Sequence, residues 1–252
     1  MRRANYHTHT ARCMHAVGTE REYVEAAIEA GLEVLGFADH TPMPYKDFVS
    51  GIRMSMDELP EYIEILLALR EEYKDRIEIK IGFEVEYLPQ FFKELTEILK
   101  AYPVDYLIMG QHFVDSEIVP NFVSRAFTEE EKLERYVDQV IEGLRTGAFA
   151  YLAHPDLPNF VGKAKVYERQ MTRLCLACKE LQIPIEINRL GYYVERNYPD
   201  KNFWKIAAKV GNEVIIGYDA HDPESLKDEE TYQKCMEFAT KVGVTVNEAF
   251  RI

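Results

Sequence analysis

Short apolar runs alternate with amphipathic helical patterns from one end of this 252-residue chain to the other, and that alternation restricts the fold more than any other feature. Strands are expected at about 4–9, 34–38, 77–84, 106–110, 149–153, 185–188 and 214–218. Helices fall between them. The first, about 20–30, carries Thr19 and Glu22 in capping-box spacing and Gly31 as its stop. Others are expected at 56–73, 90–101, 163–181, 202–210 and 228–242. The acidic run Glu129-Glu130-Glu131 opens one more, as the positive end of a helix dipole favours, and Gly147 closes it. A last apolar piece covers 244–246. Strand-then-helix units make the strands parallel, because each helix is the crossover that parallel neighbours require. About seven such units, with no linker or composition shift, make one domain over 1–252. They give an α/β fold that closes as a (β/α)7 barrel, with a doubly wound open sheet as the alternative.

The histidines favour the barrel. There are seven, His7, His9, His15, His40, His112, His154 and His221, each at or just past the C-terminal end of an expected strand and none in an expected helix. In a barrel those ends converge on one face, where active sites are built. His7 and His9 are two residues apart and so share a face of a strand. Taken alone, that pair is as compatible with an ordinary surface or hydrogen-bonded strand. Glu84 and Asp219 close equivalent strands, and Asp219 with His221 repeats the two-residue spacing. Seven imidazoles and two carboxylates exceed the roughly four ligands that one tetrahedral ion takes. The set suits two or three ions, with a carboxylate bridging neighbours roughly 3.5–4 Å apart.

The formal charge of −13 argues against long nucleic acid or an anionic membrane as partner. It leaves small anionic substrates open, since a cluster of divalent ions is locally positive. No apolar stretch approaches a membrane span, and the residues behind Arg2 and Arg3 are too polar for a signal peptide. Four cysteines without a regular framework point to a reducing, cytoplasmic setting. Cys175 and Cys178 have redox spacing but share an apolar stripe with Met171, Leu174 and Leu181, which reads as a buried helix face. Cys13, set between histidines, reads as loop packing. Neither a Gly-rich nucleotide loop nor a G-x-S-x-G nucleophile motif is present.

H-T-H-T with the later His15, F-A-D-H-T-P at 37–42, G-F-E-V-E-Y at 82–87, Q-H-F at 111–113, H-P-D-L at 154–157 and D-A-H at 219–221 together resemble the signature set of the PHP (polymerase and histidinol phosphatase) metallohydrolases. The match runs in the right order over about residues 5–225. Within that family, G-I-R-M-S-M-D-E-L at 51–59 and E-I-N at 186–188 are most similar to the histidinol-phosphate phosphatases. The resemblance implies a distorted (β/α)7 barrel with its metal site at the C-terminal ends of the strands. It also implies three divalent ions, with zinc, iron and manganese all compatible with imidazole and carboxylate. His7, His9, Glu84 and Asp219 would hold the first ion. Glu84 would bridge to a second, held by His112 and His154, and His15, His40 and His221 would hold the third.

The implied reaction is hydrolysis of a small phosphate monoester, L-histidinol phosphate above others, with inorganic phosphate as product. Glu84, Asp219 and His221 would act catalytically through metal-activated hydroxide attacking phosphorus in line. From the residues themselves, Asp39 and Asp156 are candidates to orient imidazoles. Arg12, Arg53 and Arg189 are candidates for phosphate contact, with ordinary loop roles as the alternative for each. Glu117, Tyr192 and Tyr193 are available for the substrate's ammonium and imidazole. After E-I-N the chain continues Arg189-Leu190-Gly191-Tyr192-Tyr193 instead of the family's small residue with an arginine further on, which leaves the organic half of the substrate open. Rival readings are a phosphoesterase for another small phosphate ester or a phosphodiester, an amidohydrolase-like C–N hydrolase, and a metal-binding protein without activity. The lack of an obvious carbamylated-lysine position and the added pair His15 and His40 argue against the second. The complete ligand set argues against the third.

Overall fold

Six regular strands appear in the computed structural model, which describes residues 3–252: β1 (Ala4–Asn5), β2 (Val34–His40), β3 (Glu78–Val85), β4 (Tyr106–Met109), β5 (Ile185–Asn188) and β6 (Val214–Gly217). Met1 and Arg2, on which part of the signal-peptide reading falls, lie outside the described residues. Parallel pairing runs β1-β2-β3-β4 and β5-β6.

The seventh expected strand, 149–153, survives as hydrogen bonds more than as a regular strand. Ala150 N–H and Ala153 N–H donate to Leu107 and Met109 on one side, and Leu152 N–H to Pro184 on the other. Regular pairing is confined to Leu152, which bridges Met109 and Ile185. Pro184 has no N–H to return, and His154 leaves the extended region at φ 30°. The circle closes where Thr8 pairs with Ala220: His9 N–H donates to Ala220 O at 2.9 Å and Ala220 N–H to His7 O at 3.1 Å. A closed barrel replaces the open-sheet alternative.

That closure explains the distortion, because β1 and β6 meet only beyond their own ends, at the mouth. At the opposite end the C-terminal segment fills in. Val246 pairs with Val214, and Phe250 packs edge-on against Tyr6 and Tyr151. Inside the barrel are Tyr6, Val34, Ala38, Tyr106, Ile108, Tyr151, Ala153 and Ile215. Alternate residues such as Leu35, Phe37, Ile79, Ile81 and Phe83 belong to the larger core shared with the helices, as period two requires.

The helices are α1 (Glu20–Glu29), α2 (Leu59–Glu72), α3 (Pro89–Leu99), α4 (Glu130–Leu144), α5 (Ala164–Glu180), α6 (Arg189–Tyr193), α7 (Lys201–Val210) and α8 (Glu229–Val242). Thr19 and Glu22 form the expected capping box on α1. Cys175 and Cys178 are buried in α5. Only α6 has no counterpart in the sequence pattern, being too short to show a helical period. Among the described residues, no helix is long and apolar enough to cross a membrane.

Tyr106 spans the barrel interior, its hydroxyl 2.7 Å from Tyr6 O and 2.9 Å from Phe37 O. Glycine at 82 makes room for it, since a Cβ there would lie 2.5 Å from the ring. Gly82→Ala is expected to cost about 1–3 kcal/mol through overpacking. Denaturant unfolding checks this, and an unshifted midpoint would contradict the packing described.

Candidate metal centre

Strand alternation brings His40, at the end of β2, beside Glu84 of β3 in direct register. Around Glu84 the seven imidazoles form one chain of neighbours, of which five, His9, His40, His112, His154 and His7, close into a ring, with His221 and His15 extending from His9. In order they are His15, His221, His9, His40, His112, His154 and His7, with His7 returning to His9. Successive ring centroids are 4.8, 4.3, 4.5, 5.2, 4.8, 5.8 and 5.2 Å apart. All seven sequence-nominated histidines, with Glu84 and Asp219, are thus brought to one place at the barrel mouth.

Glu84 divides its two oxygens between different imidazoles. Oε1 lies 2.7 Å from His154 Nε2 and 3.7 Å from both His7 Nε2 and His112 Nε2. Oε2 lies 2.9 Å from His40 Nδ1 and 3.5 Å from His9 Nε2. Asp219 Oδ1 stands 3.2–3.4 Å from His9, His7 and His221. A carboxylate whose oxygens face two ligand sets has the disposition of a bridge between ions.

Several groups aim the rings. His7 Nδ1–H donates to Glu186 Oε2 at 2.9 Å, turning Nε2 toward Glu84 and Asp219. Asn188 links Glu186 Oε1 to Asp219 Oδ2 at 2.8 and 3.0 Å. Glu86 holds His112, by its ring Nδ1 at 3.3 Å and by its backbone N–H. Carboxylates behind imidazoles fix ring orientation and raise ligand basicity. Glu186 and Glu86 were missed as orienting groups, although the alternation Glu84-x-Glu86 and Glu186-x-Asn188 at strand ends is the signal that marks them.

Of the two nominated aspartates, Asp39 stands behind His9, 3.6 Å from Nδ1, and accepts from the Thr10 N–H at 3.0 Å and from the Thr10 hydroxyl. Asp156 does something else: it accepts from the Trp204 indole at 2.8 Å and the Asp200 N–H at 2.6 Å, so it anchors the loop to α7. Burial pushes its pKa up to about 7, against those hydrogen bonds.

The nominated arginines are committed elsewhere. Arg12 pairs with Glu20 and Glu61, both at 3.0 Å. Arg53, buried, donates to Glu117 at 2.8 Å and to Thr41 O at 3.0 Å. Arg189, also buried, donates to Ser225 O and stacks 4.5 Å over the Tyr218 ring. Glu117 is taken up by Arg53, Tyr45 and Ser50, Tyr192 packs on Phe238 and Tyr193 is half exposed. None of these borders the mouth cavity of about 540 Å³, whose wall beside the histidines contains Phe122, Ser124, Leu190, Arg196, Asn197 and Tyr198. Arg196, a few residues past the end of α6, is the arginine that borders this cavity.

The donors fit divalent metal. Buried nitrogens His7 Nε2, His9 Nδ1, His9 Nε2 and His154 Nδ1 have no hydrogen-bond partner, a condition that costs about 1–3 kcal/mol each when uncompensated. Ligand atoms of His7, His9 and Glu84, of His7, His154 and Asp219, and of His9, His40 and His221 lie within 4.8 Å of one another. Without metal, charge is balanced by protons. Burial lowers the pKa of His7, but Glu186 and Asp219 outweigh it and push it up to about 10. Burial raises that of Glu84, but His40 and His112 hold it well below the usual carboxylate range.

A closed α/β barrel with a buried imidazole–carboxylate cluster at its C-terminal mouth defines a metal-binding barrel of the hydrolase type. The chain belongs to the PHP domain family, whose model matches residues 5–190; Asp219 and His221 lie beyond that span and are brought in by barrel closure. It is 32% identical to the histidinol-phosphatase of Bacillus subtilis over 88% of this chain and 94% of that one. It is also 32% identical to a Deinococcus radiodurans protein named "Probable histidinol-phosphatase", over 86% and 85%. Its fold matches the histidinol phosphate phosphatase of Lactococcus lactis, solved with zinc, L-histidinol and phosphate, at a TM-score of 0.74 and 21% identity over 97% of this chain and 95% of that one.

A histidine that binds its proton more tightly when folded contributes stability present in full below its unfolded pKa and lost as pH rises through the folded value. With chelator present, the melting temperature is therefore expected to fall as pH rises from about 6.5 to about 10, the ordinary and folded values for His7. Zinc added at the upper end is expected to restore it. A flat or rising profile in chelator would contradict this charge balance.

Proposed function

We propose that this chain hydrolyses L-histidinol phosphate to L-histidinol and phosphate, using three divalent ions drawn from zinc, iron or manganese. The observation that carries the reading is Glu84, whose two oxygens face separate sets of imidazoles on the floor of a cavity lined by an arginine. The names of the Bacillus subtilis relative and of the Lactococcus lactis neighbour point to the same substrate. His7, His9, Glu84 and Asp219 would hold one ion, Glu84, His112 and His154 a second, and His15, His40 and His221 a third.

Ions bound there supply neutralisation of phosphate charge and hydroxide near neutral pH. The chain's own residues do the rest. Glu186, Asn188 and Glu86 keep the ligand rings and Asp219 in place. The Arg196 guanidinium, steadied by the Tyr198 hydroxyl at 3.2 Å, offers a forked donor to phosphate oxygens. Phe122, nearly parallel to His112 at 6.3 Å, gives the organic half an aromatic wall. Small cavity size favours a compact monoester over a long polymer.

Chelator is expected to abolish turnover and added zinc or manganese to restore it. Among a panel of phosphomonoesters, a phosphodiester and simple amides, histidinol phosphate is expected to lead in kcat/KM by about a hundredfold, roughly 2.7 kcal/mol. A flat profile would favour another small phosphate ester, and amide hydrolysis would overturn the phosphatase reading. Arg196→Ala is expected to lower kcat/KM roughly 10- to 100-fold, the range for a lost hydrogen bond to a charged group. Its metal content should stay unchanged, and wild-type kinetics would remove Arg196 from the phosphate site.

A further inference from the structure

Cys13 sits in a place where a thiol has more to do than pack. It ends a 3-10 turn, Ala11–Cys13, whose start is fixed by Thr10, and Thr10 is itself tied to Asp39 through its N–H and hydroxyl. Met14 follows in the left-handed region at φ 64°, which swings His15 back over the turn. His15 Nδ1–H then donates to Cys13 O at 2.6 Å, which leaves the other ring nitrogen available as a metal donor. His221 does the same with Asp219 O at 2.9 Å.

The result is a fully buried sulfur surrounded by imidazole instead of hydrocarbon. Cys13 Sγ, a His15 nitrogen and a His221 nitrogen lie within 4.8 Å of one another, and Sγ meets the same limit with a His9 nitrogen and an Asp39 oxygen. Donors around one tetrahedral ion, at about 2.0–2.3 Å from it, are spaced roughly 3.3–3.8 Å apart, so the group needs only a small contraction to close on an ion. His9, wholly buried with neither ring nitrogen hydrogen-bonded, borders the same sulfur from the side of the neighbouring ion's ligands. The other cysteines, Cys175, Cys178 and Cys235, are buried in the hydrophobic core on α5 and α8.

We infer that Cys13 Sγ is a direct donor to the ion held by His15 and His221, giving that position mixed sulfur and nitrogen coordination. The inference rests on the metal reading above. Formation of the sulfur–metal bond releases the thiol proton to solvent, so no oxidant or reductant is required. A thiolate makes this position prefer soft or borderline ions such as zinc over manganese. It also makes this ion's ligand shell open to oxidation at sulfur.

The test is Co(II) reconstitution of the chelator-stripped full chain. A near-ultraviolet sulfur-to-cobalt charge-transfer band is expected in the wild type and in Cys175→Ser. It should be absent in Cys13→Ser, which should also bind its weakest ion at least tenfold less tightly. No band in the wild type, or an unchanged band in Cys13→Ser, would overturn the assignment. Should Cys13→Ser fail to fold, zinc-edge X-ray absorption of the wild type decides. A sulfur scatterer at about 2.3 Å supports the ligand, and a shell of nitrogen and oxygen alone excludes it. Neither measurement uses histidinol phosphate, so the ligand and the substrate readings fail separately.

Discussion

The mouth of the barrel depends on one buried charge. Glu84 is almost wholly shielded from solvent, and a carboxylate there is tolerable only if positive charge surrounds it. Glu86, Glu186 and Asp219 add to the demand, all of them buried. Imidazoles such as His7, whose pKa its carboxylate neighbours raise, answer it in one of two ways. Protonated, they balance the carboxylates directly; neutral, they hand the task to divalent ions, which their unpartnered nitrogens are placed to bind. The site is therefore a charge-balancing device first, and its chemistry follows from which cations fill it.

The scaffold is shaped to make that cluster possible. A Cβ at Gly110 would fall 1.8 Å from Glu84 Oε1, and one at Gly217 would fall 1.9 Å from Glu186 Oε2. Both strands thus yield space to a carboxylate of the neighbouring strand. His154 and Asp219 adopt positive φ, 30° and 51°, which for side chains other than glycine is a strained conformation typical of functional positions. Barrel closure between Thr8 and Ala220 lies within two residues of His7, His9, Asp219 and His221. The closing seam of the sheet accordingly carries four of the ligands.

Most of this is legible in the sequence because strand ends leave a mark. Every histidine lies at or just past the end of an apolar run, and period two puts His7 with His9, and Asp219 with His221, on one face without any knowledge of long-range contacts. What could not be read is pairing over distance. Arg53 looks available until Glu117 is placed beside it, and Arg12 until Glu61 is. In each case the partner lies on a different turn of the barrel. Arg196 was hidden by α6, a helix too short to carry a period, which brings a residue beyond the expected loop back to the cavity. Asp156 was read from its neighbour His154, yet the alternation of its loop sends it to Trp204. The strand at 149–153 was overestimated because its apolar pattern is intact while its partner is a proline.

Counting bound metal tests the central claim most directly. Zinc-loaded protein, dialysed exhaustively against metal-free buffer, is analysed by elemental mass spectrometry beside Glu84→Gln. A bridging role for Glu84 predicts about three ions per chain in the wild type and a loss of at least one in the variant. A wild type that retains none or one, or a variant that retains the full complement, would contradict the account.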